Sequence, residues 1–170
     1  MIRIAPLSDA ESAAVEQLLD QAFGADRHGR TAYRIRSGTQ PIAALSFAAF
    51  DDTLLVGTLQ SWPIKLVGID GAARSLVLVG PVAVRPDRQR AGIGVALMRA
   101  MLAAADAGGY DALTLIGDPE YYDRLFGFNA DQTSGWDVPG PIERHRLLAR
   151  LHGERLNGLH GMLAPDRAMA

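Results

Sequence analysis

Gly80-Pro81-Val82-Ala83-Val84-Arg85-Pro86-Asp87-Arg88-Gln89-Arg90-Ala91-Gly92-Ile93-Gly94 is the stretch whose reading decides the fold. Val82 to Val84 end a strand, an arginine-rich turn follows, and Gly92 and Gly94 open a helix. A turn of this kind aims successive backbone N–H groups at one point, where the positive end of the helix dipole adds to them. That point suits a diphosphate. Arg85, Arg88 and Arg90 supply planar cations able to grip further phosphate oxygens in pairs. The glycine pair alone also fits tight helix–strand packing. Nucleotide fingerprints do not fit: a dinucleotide turn needs glycine at position 97, which is Leu97, and no Gly-Lys-Ser/Thr of a mononucleotide loop occurs.

Outward from this turn, the pattern predicts an α/β chain. Ile2 to Ala5 reads as a strand. Ser8-Asp9-Ala10-Glu11 reads as a capping box before a helix carrying Val15, Leu18, Leu19 and Phe23, ended by Gly24. Residues 25 to 40 are polar, with a short helix around Tyr33. Ala43 to Phe50 and Leu54 to Val67 form a hairpin about Asp51-Asp52, and Arg74 to Val84 a third strand. Gly92 to Ala107 is a helix, Ala112 to Ile116 a buried strand and Pro119 to Leu125 a short helix; the C-terminal region is charged and ambiguous. Pro81 lacks the N–H a central ladder requires, so the strands ending at Val84 and Ile116 are expected to splay apart after it. Backbone groups of Val82 to Val84 would then face a cleft, where an amide-bearing ligand pairs as an added strand would.

The bulk numbers narrow the classes. With 170 residues, 48% hydrophobic, the chain suits one domain with a real core. A net charge of −2 gives no global field toward nucleic acid or anionic membrane. Apolar runs fall far short of a bilayer span, and Met1-Ile2-Arg3-Ile4 shows no signal-peptide pattern, so a cytoplasmic location is expected. The absence of cysteine excludes disulfides and an acyl-cysteine relay. His28, His145, His152 and His160 are scattered, so no metal is expected.

Two motifs in order now carry a resemblance. Gln89-x-x-Gly92-x-Gly94, after Val82-Ala83-Val84-Arg85-Pro86, resembles the acyl-CoA signature of the GNAT N-acetyltransferase superfamily. Gly117-Asp118-Pro119-Glu120-Tyr121-Tyr122-Asp123-Arg124-Leu125-Phe126-Gly127-Phe128 is similar to its next element, a tyrosine-bearing helix closed by Gly-Phe. The Gly-Asp and Tyr-Tyr pieces, with Pro139-Gly140-Pro141-Ile142-Glu143-Arg144, resemble a bacterial subfamily of acetyltransferases. The resemblance implies a mixed, mostly antiparallel sheet with a splayed parallel strand pair and flanking helices. It implies one domain over 1–170, a CoA-binding core at about 75–130, and residues 140–170 completing the sheet and tail.

It further implies that acetyl-CoA is the co-substrate and an amine, small-molecule or peptide, the acceptor of a monomer or homodimer. Backbone N–H groups of Gln89, Arg90, Ala91, Gly92, Ile93 and Gly94 would cradle the pyrophosphate, with Arg88 a further CoA-binding residue, and the pantetheine arm would lie along Val82, Ala83 and Val84. A tyrosine four or five residues before Gly-Phe is the proton donor in such enzymes. Position 123 is Asp123, so Tyr122 is the favoured donor and Tyr121 the second candidate; one extra residue around Leu125 turns a helix by about 100°. No carboxylate lies within the strand after its first residue to act as base. Asp118 and Glu120 fit either the cleft mouth or helix capping. His28, Arg30, Tyr33, Arg34 and Trp136 are candidates for an acceptor pocket built from residues 24–36 and 131–142, whereas Trp62 reads as a strand or core residue and Arg144, His145, Arg146 and Arg150 as a solvated face. The competing reading is a catalytically silent acyl-CoA-binding sensor or scaffold.

Overall fold

The computed structural model describes residues 1–169. Along the chain run β1 (Ile2–Pro6), α1 (Ser12–Phe23), α2 (Thr31–Ile35), β2 (Phe47–Asp51), β3 (Leu54–Gly68), β4 (Ala73–Val84), α3 (Ile93–Ala107), β5 (Ala112–Ile116), α4 (Pro119–Phe126), β6 (Trp136–Asp137), β7 (Leu147–Leu151) and β8 (Gly161–Pro165). In hydrogen-bonding order the strands are β1-β2-β3-β4-β5-β7, with β8 on β3 and β6 on β8. β1–β2, β2–β3, β3–β8 and β5–β7 are antiparallel; β4–β5 is the parallel pair joined through α3. The mostly antiparallel α/β sheet expected from the sequence therefore forms. A second, two-residue parallel contact, β6 on β8, was not foreseen.

Contacts divide the chain into two units. The first contains Met1–His28, Pro41–Ser61 and Gly80–Gly108. Here α1 buries Val15, Leu18 and Leu19 against Ala83, the helical-period stripe that the sequence shows. The Ser8–Glu11 capping box does not form. Leu7 to Asp9 make a 3-10 turn instead, and α1 starts at Ser12 with no side-chain cap. Leu7 N–H is drawn to the Ser46 carbonyl (3.0 Å) and Ala10 is extended, which takes Ser8 out of cap position. The buried Arg27 guanidinium is held by Asp20 and Glu16, one turn apart on α1. The strand expected from Ala43 begins only at Phe47, because Ser46 and Ser61 side chains bind the Ile42 and Leu45 carbonyls and hold 43–45 as a 3-10 turn.

The second unit contains Gly29–Gln40, Trp62–Val79 and the chain from Gly109 onward. β5, apolar apart from Thr114, lies between β4 and β7, with Val77 opposite Leu113 and Leu78 opposite Thr114. The buried Thr114 hydroxyl donates to the Leu148 carbonyl at 2.6 Å, which lets a polar residue sit in that run. The ambiguous C-terminal region supplies β6, β7 and β8. β8 comes so close to β3 at Gly161 that a Cβ there would lie 2.4 Å from the Val67 carbonyl oxygen. Trp136, proposed from sequence as a pocket residue, is 0% exposed and packs with Ile35, Trp62, Leu66 and Leu163. Its place in β6, paired to β8, turns it into the core; Arg144 fixes the segment by donating to the Ser134 and Trp136 carbonyls, each at 2.8 Å.

At the start of β5, Arg155 donates to Asp111 through Nε (3.0 Å) and a terminal nitrogen (2.7 Å), and also to the Ser75 carbonyl at 2.9 Å. The Arg155 hydrogen bonds hold the Asp111 carboxyl below its ordinary 3.8. A lowered carboxylate contributes stability above its ordinary value, and that contribution is lost as pH falls through the lowered one. Asp111→Asn is therefore expected to flatten the loss of stability below about pH 3.8 relative to the natural chain. Urea midpoints measured across that range check the difference; parallel curves would show that the pair contributes nothing.

Candidate active site

The turn from Arg85 to Gly94, expected from sequence to hold phosphate, lies wholly in the first unit. Its entrance is anchored to β3, where Arg85 N–H donates to the Val56 carbonyl at 2.9 Å. Pro86 to Arg88 then make a 3-10 turn, closed by Arg88 N–H onto the Arg85 carbonyl at 2.9 Å. Gln89 is extended, while Arg90 (φ 74°) and Gly92 (φ 76°) are both left-handed. Alternation of this kind turns backbone N–H groups to one side, as in anion-binding nests. No side chain caps α3, so the N–H groups of its first turn remain open. Gln89, Arg90, Ala91 and Gly92 are exposed, whereas Ile93 is buried.

The packing explanation for the glycine pair fails. A Cβ at Gly92 would meet nothing within 4 Å, and one at Gly94 only Val84 Cγ2 at 3.9 Å. Gly92 is needed for its φ, but Gly94 leaves room over the helix start that the protein's own atoms do not use. The glycine that seats α3 is Gly57 on β3. A Cβ there would lie 2.8 Å from Ile93 Cγ2, 3.1 Å from Leu97 Cδ1 and 3.2 Å from the Ala83 carbonyl. An isolated glycine within a strand signals such an approach. The sequence reading passed over it.

The three arginines have different surroundings. Arg85 holds Asp87 with contacts of 3.1 and 3.3 Å. Arg88 is taken by Asp51, which also receives the α-amino group at 3.3 Å. Arg88 foremost, then that amine, hold the Asp51 carboxyl below its usual value. Arg90 makes no hydrogen bond or ion pair among the described residues. Of the strand residues, Ala83 is buried under α1 and offers only its backbone, while Val82 and Val84 are half-buried.

Tyr121 and Tyr122 lie on α4 in the second unit. Asp118 is the N-cap, its carboxylate accepting from Glu120 N–H at 3.0 Å, which resolves its role in favour of capping. Gly127 (φ 76°) ends the helix, donating to the Asp123 carbonyl at 3.0 Å. The Tyr122 ring lies so near Gly117 that a Cβ there would sit 2.4 Å from its Cε2. It meets Tyr121 edge-on at 4.9 Å and Phe128 at 6.5 Å. Burial chiefly, and then the neighbouring Tyr121, push the Tyr122 hydroxyl above the ordinary tyrosine value; Arg146 opposes this and Asp118 adds to it. The Tyr122 hydroxyl is thus protonated across the neutral range. Leu125, where the spacing carries its extra residue, is exposed.

Two segments expected to shape an acceptor pocket are joined within this unit. Thr31 Oγ donates to the Pro141 carbonyl at 2.6 Å and Arg34 to that of Pro139 at 3.3 Å. Gly140 makes this possible, since a Cβ there would lie 2.6 Å from Thr31 Oγ. Arg36 is stacked between Tyr33 (3.9 Å) and Trp62 (3.7 Å). His28 and Arg30 are exposed, His28 in the first unit. Among the described residues no group of three or more His, Asp or Glu side chains is arranged to hold a metal, and no helix is long and apolar enough to cross a membrane.

Comparison with known proteins agrees with this architecture. The family model for the acetyltransferase (GNAT) domain matches residues 3–130. A GNAT family N-acetyltransferase (YhbS) from Escherichia coli, solved in complex with CoA, is 22% identical with a TM-score of 0.71, covering 99% of this chain and 91% of its own. A GNAT family acetyltransferase from Brucella melitensis, in complex with acetyl-CoA, is 24% identical with a TM-score of 0.71, covering 100% and 99%. No curated protein sequence matches.

Gly57→Val is expected to force α3 off β3 and lower stability by about 1–3 kcal/mol. Chemical denaturation measures this directly; a variant as stable as the natural chain would show that the close approach carries no weight.

Proposed function

Since the chain belongs to the acetyltransferase (GNAT) domain family, we propose that it moves acetyl from acetyl-CoA to the amine of a small molecule or peptide. The observation that carries this is the turn at 89–94: an uncapped helix start, two left-handed residues and unused space over Gly94. The CoA and acetyl-CoA of the two structural neighbours support the choice of ligand. Backbone N–H groups from Gln89 to Gly94 hold the pyrophosphate, helped by the α3 dipole; the Arg88 N–H is already given to the Arg85 carbonyl. The backbone of Val82, Ala83 and Val84 receives the pantetheine amides. The whole chain acts as one acyltransferase domain, of the Gly-Asp-x-x-Tyr-Tyr subfamily that residues 117–122 resemble, in the cytoplasm of a bacterium and as a monomer or homodimer.

The amine attacks acetyl-CoA directly in a ternary complex. Its nitrogen lone pair forms the C–N bond, and a backbone N–H meets the oxyanion that develops on the carbonyl oxygen. The C–S bond then breaks, and the CoA sulfur takes the phenolic proton of Tyr122, with Tyr121 the second candidate. The amine reaches the carbonyl as its free base, having lost one proton to solvent; after attack the nitrogen loses a second, and solvent returns a proton to the tyrosine phenolate. A thiol with a pKa of about 8.5 leaves tolerably, so the tyrosine assists a departure that is already feasible.

Incubation of acetyl-CoA with a panel of amines is expected to release one CoA thiol per amine acetylated. Failure to bind CoA would sink the reading, and CoA binding without transfer to any amine would favour a silent sensor or scaffold. Tyr122→Phe is expected to lower kcat by about 10- to 100-fold with CoA affinity intact. Full turnover in that variant, together with a slow Tyr121→Phe, would move the donor to Tyr121.

A further inference from the structure

Resting on the reading of residues 89–94 as a diphosphate cradle, we infer that Asp51 is a positioning residue for CoA, acting by holding Arg88. Asp51 ends β2, where its Cα is fixed between those of Ile2 on β1 and Leu54 on β3. Its carboxylate therefore projects from the sheet and not from a loose loop. Arg88 is the last residue before the cradle. Its guanidinium meets that carboxylate, and the pair is partly sheltered, with side chains 34% and 25% exposed.

The chain between this contact and α3 has few other restraints. Arg85 fixes the entrance of the turn on Val56, and Ile93 is fixed by burial over Gly57. Between Arg88 and Ile93, the residues Gln89, Arg90, Ala91 and Gly92 are exposed. A diphosphate must meet several of their N–H groups at once, so every freedom left in that span is lost on binding. The Asp51–Arg88 contact removes part of that freedom beforehand. It also brings a carboxylate close to where phosphate charge arrives, and Arg88, with the α-amino group at 3.3 Å, offsets that charge. Arg88 is then committed to shape, and the unpartnered Arg90 is the cation left for the ligand.

This assignment and its rival predict opposite signs. If Arg88 were instead a phosphate ligand that Asp51 restrains, removing the carboxylate would free the cation, delete a negative charge and tighten CoA binding. If Asp51 positions the turn, removing it weakens binding. Calorimetric titration of CoA into the full chain decides between them. Asp51→Asn is expected to weaken CoA about fivefold while the ligand-free melting temperature stays within a few degrees. Arg88→Met is expected to weaken it comparably, and the double variant no more than the worse single one, because both remove the same contact. Binding by Asp51→Asn that equals or exceeds that of the natural chain, or additive losses in the double variant, overturns the inference. Should Asp51→Asn unfold, Asp51→Glu keeps the charge but shifts the guanidinium. Weaker CoA binding then supports positioning, and unchanged binding overturns it. Failure of the natural chain to bind CoA would instead overturn the cradle itself.

Discussion

The seating of α3 on β3 at Gly57 is the contact on which the turn at 89–94 depends. A helix can present its N-terminal N–H groups usefully only if its first turn is held still, and here Ile93 and Leu97 press on a strand position with no side chain. The dispersion and burial gained at that contact fix the helix axis. The turn before it is free to adopt left-handed residues and remain exposed. The glycines thus differ in surroundings: Gly57 faces inward against α3, whereas Gly92 and Gly94 face open space.

Much of the first unit was legible because its signals are local. The strand-to-glycine-turn pattern around Gly92, the hairpin at Asp51-Asp52 and the stop at Gly24 each follow from short-range backbone preferences. What was illegible was set by partners far along the chain. Ser8 and Glu11 have the residue types of a capping box, but the Ser46 carbonyl claims Leu7 and moves the helix start to Ser12. Trp136 reads as a loop aromatic near a Pro-Gly-Pro segment, and only the pairing of β6 to β8 shows that it is core. The commitments of Arg85 to Asp87 and Arg88 to Asp51 were equally invisible, since three clustered arginines look alike in a string of letters.

The tyrosine element shows a second division between scaffold and chemistry. Asp118 and Gly127 cap α4 at its two ends, so the Asp118 carboxylate serves the helix. Gly117 makes room for the Tyr122 ring, and the burial that results keeps its hydroxyl protonated. A phenol in that state is a poor base and a serviceable acid. Its environment suits a proton donor better than a proton acceptor, and β4 itself carries no Asp or Glu.

Thr31 and Pro141 are separated by 110 positions in sequence yet share one hydrogen bond, supported by Arg34 on Pro139 and by a glycine between the two prolines. The segments on either side of that bond therefore form one exchangeable part, although the chain encodes them as two. Replacing either loop alone with one from another chain would break the seam at Gly140, where any side chain collides with Thr31. A workable graft has to carry both segments together, and natural variation at one is expected to be matched by variation at the other.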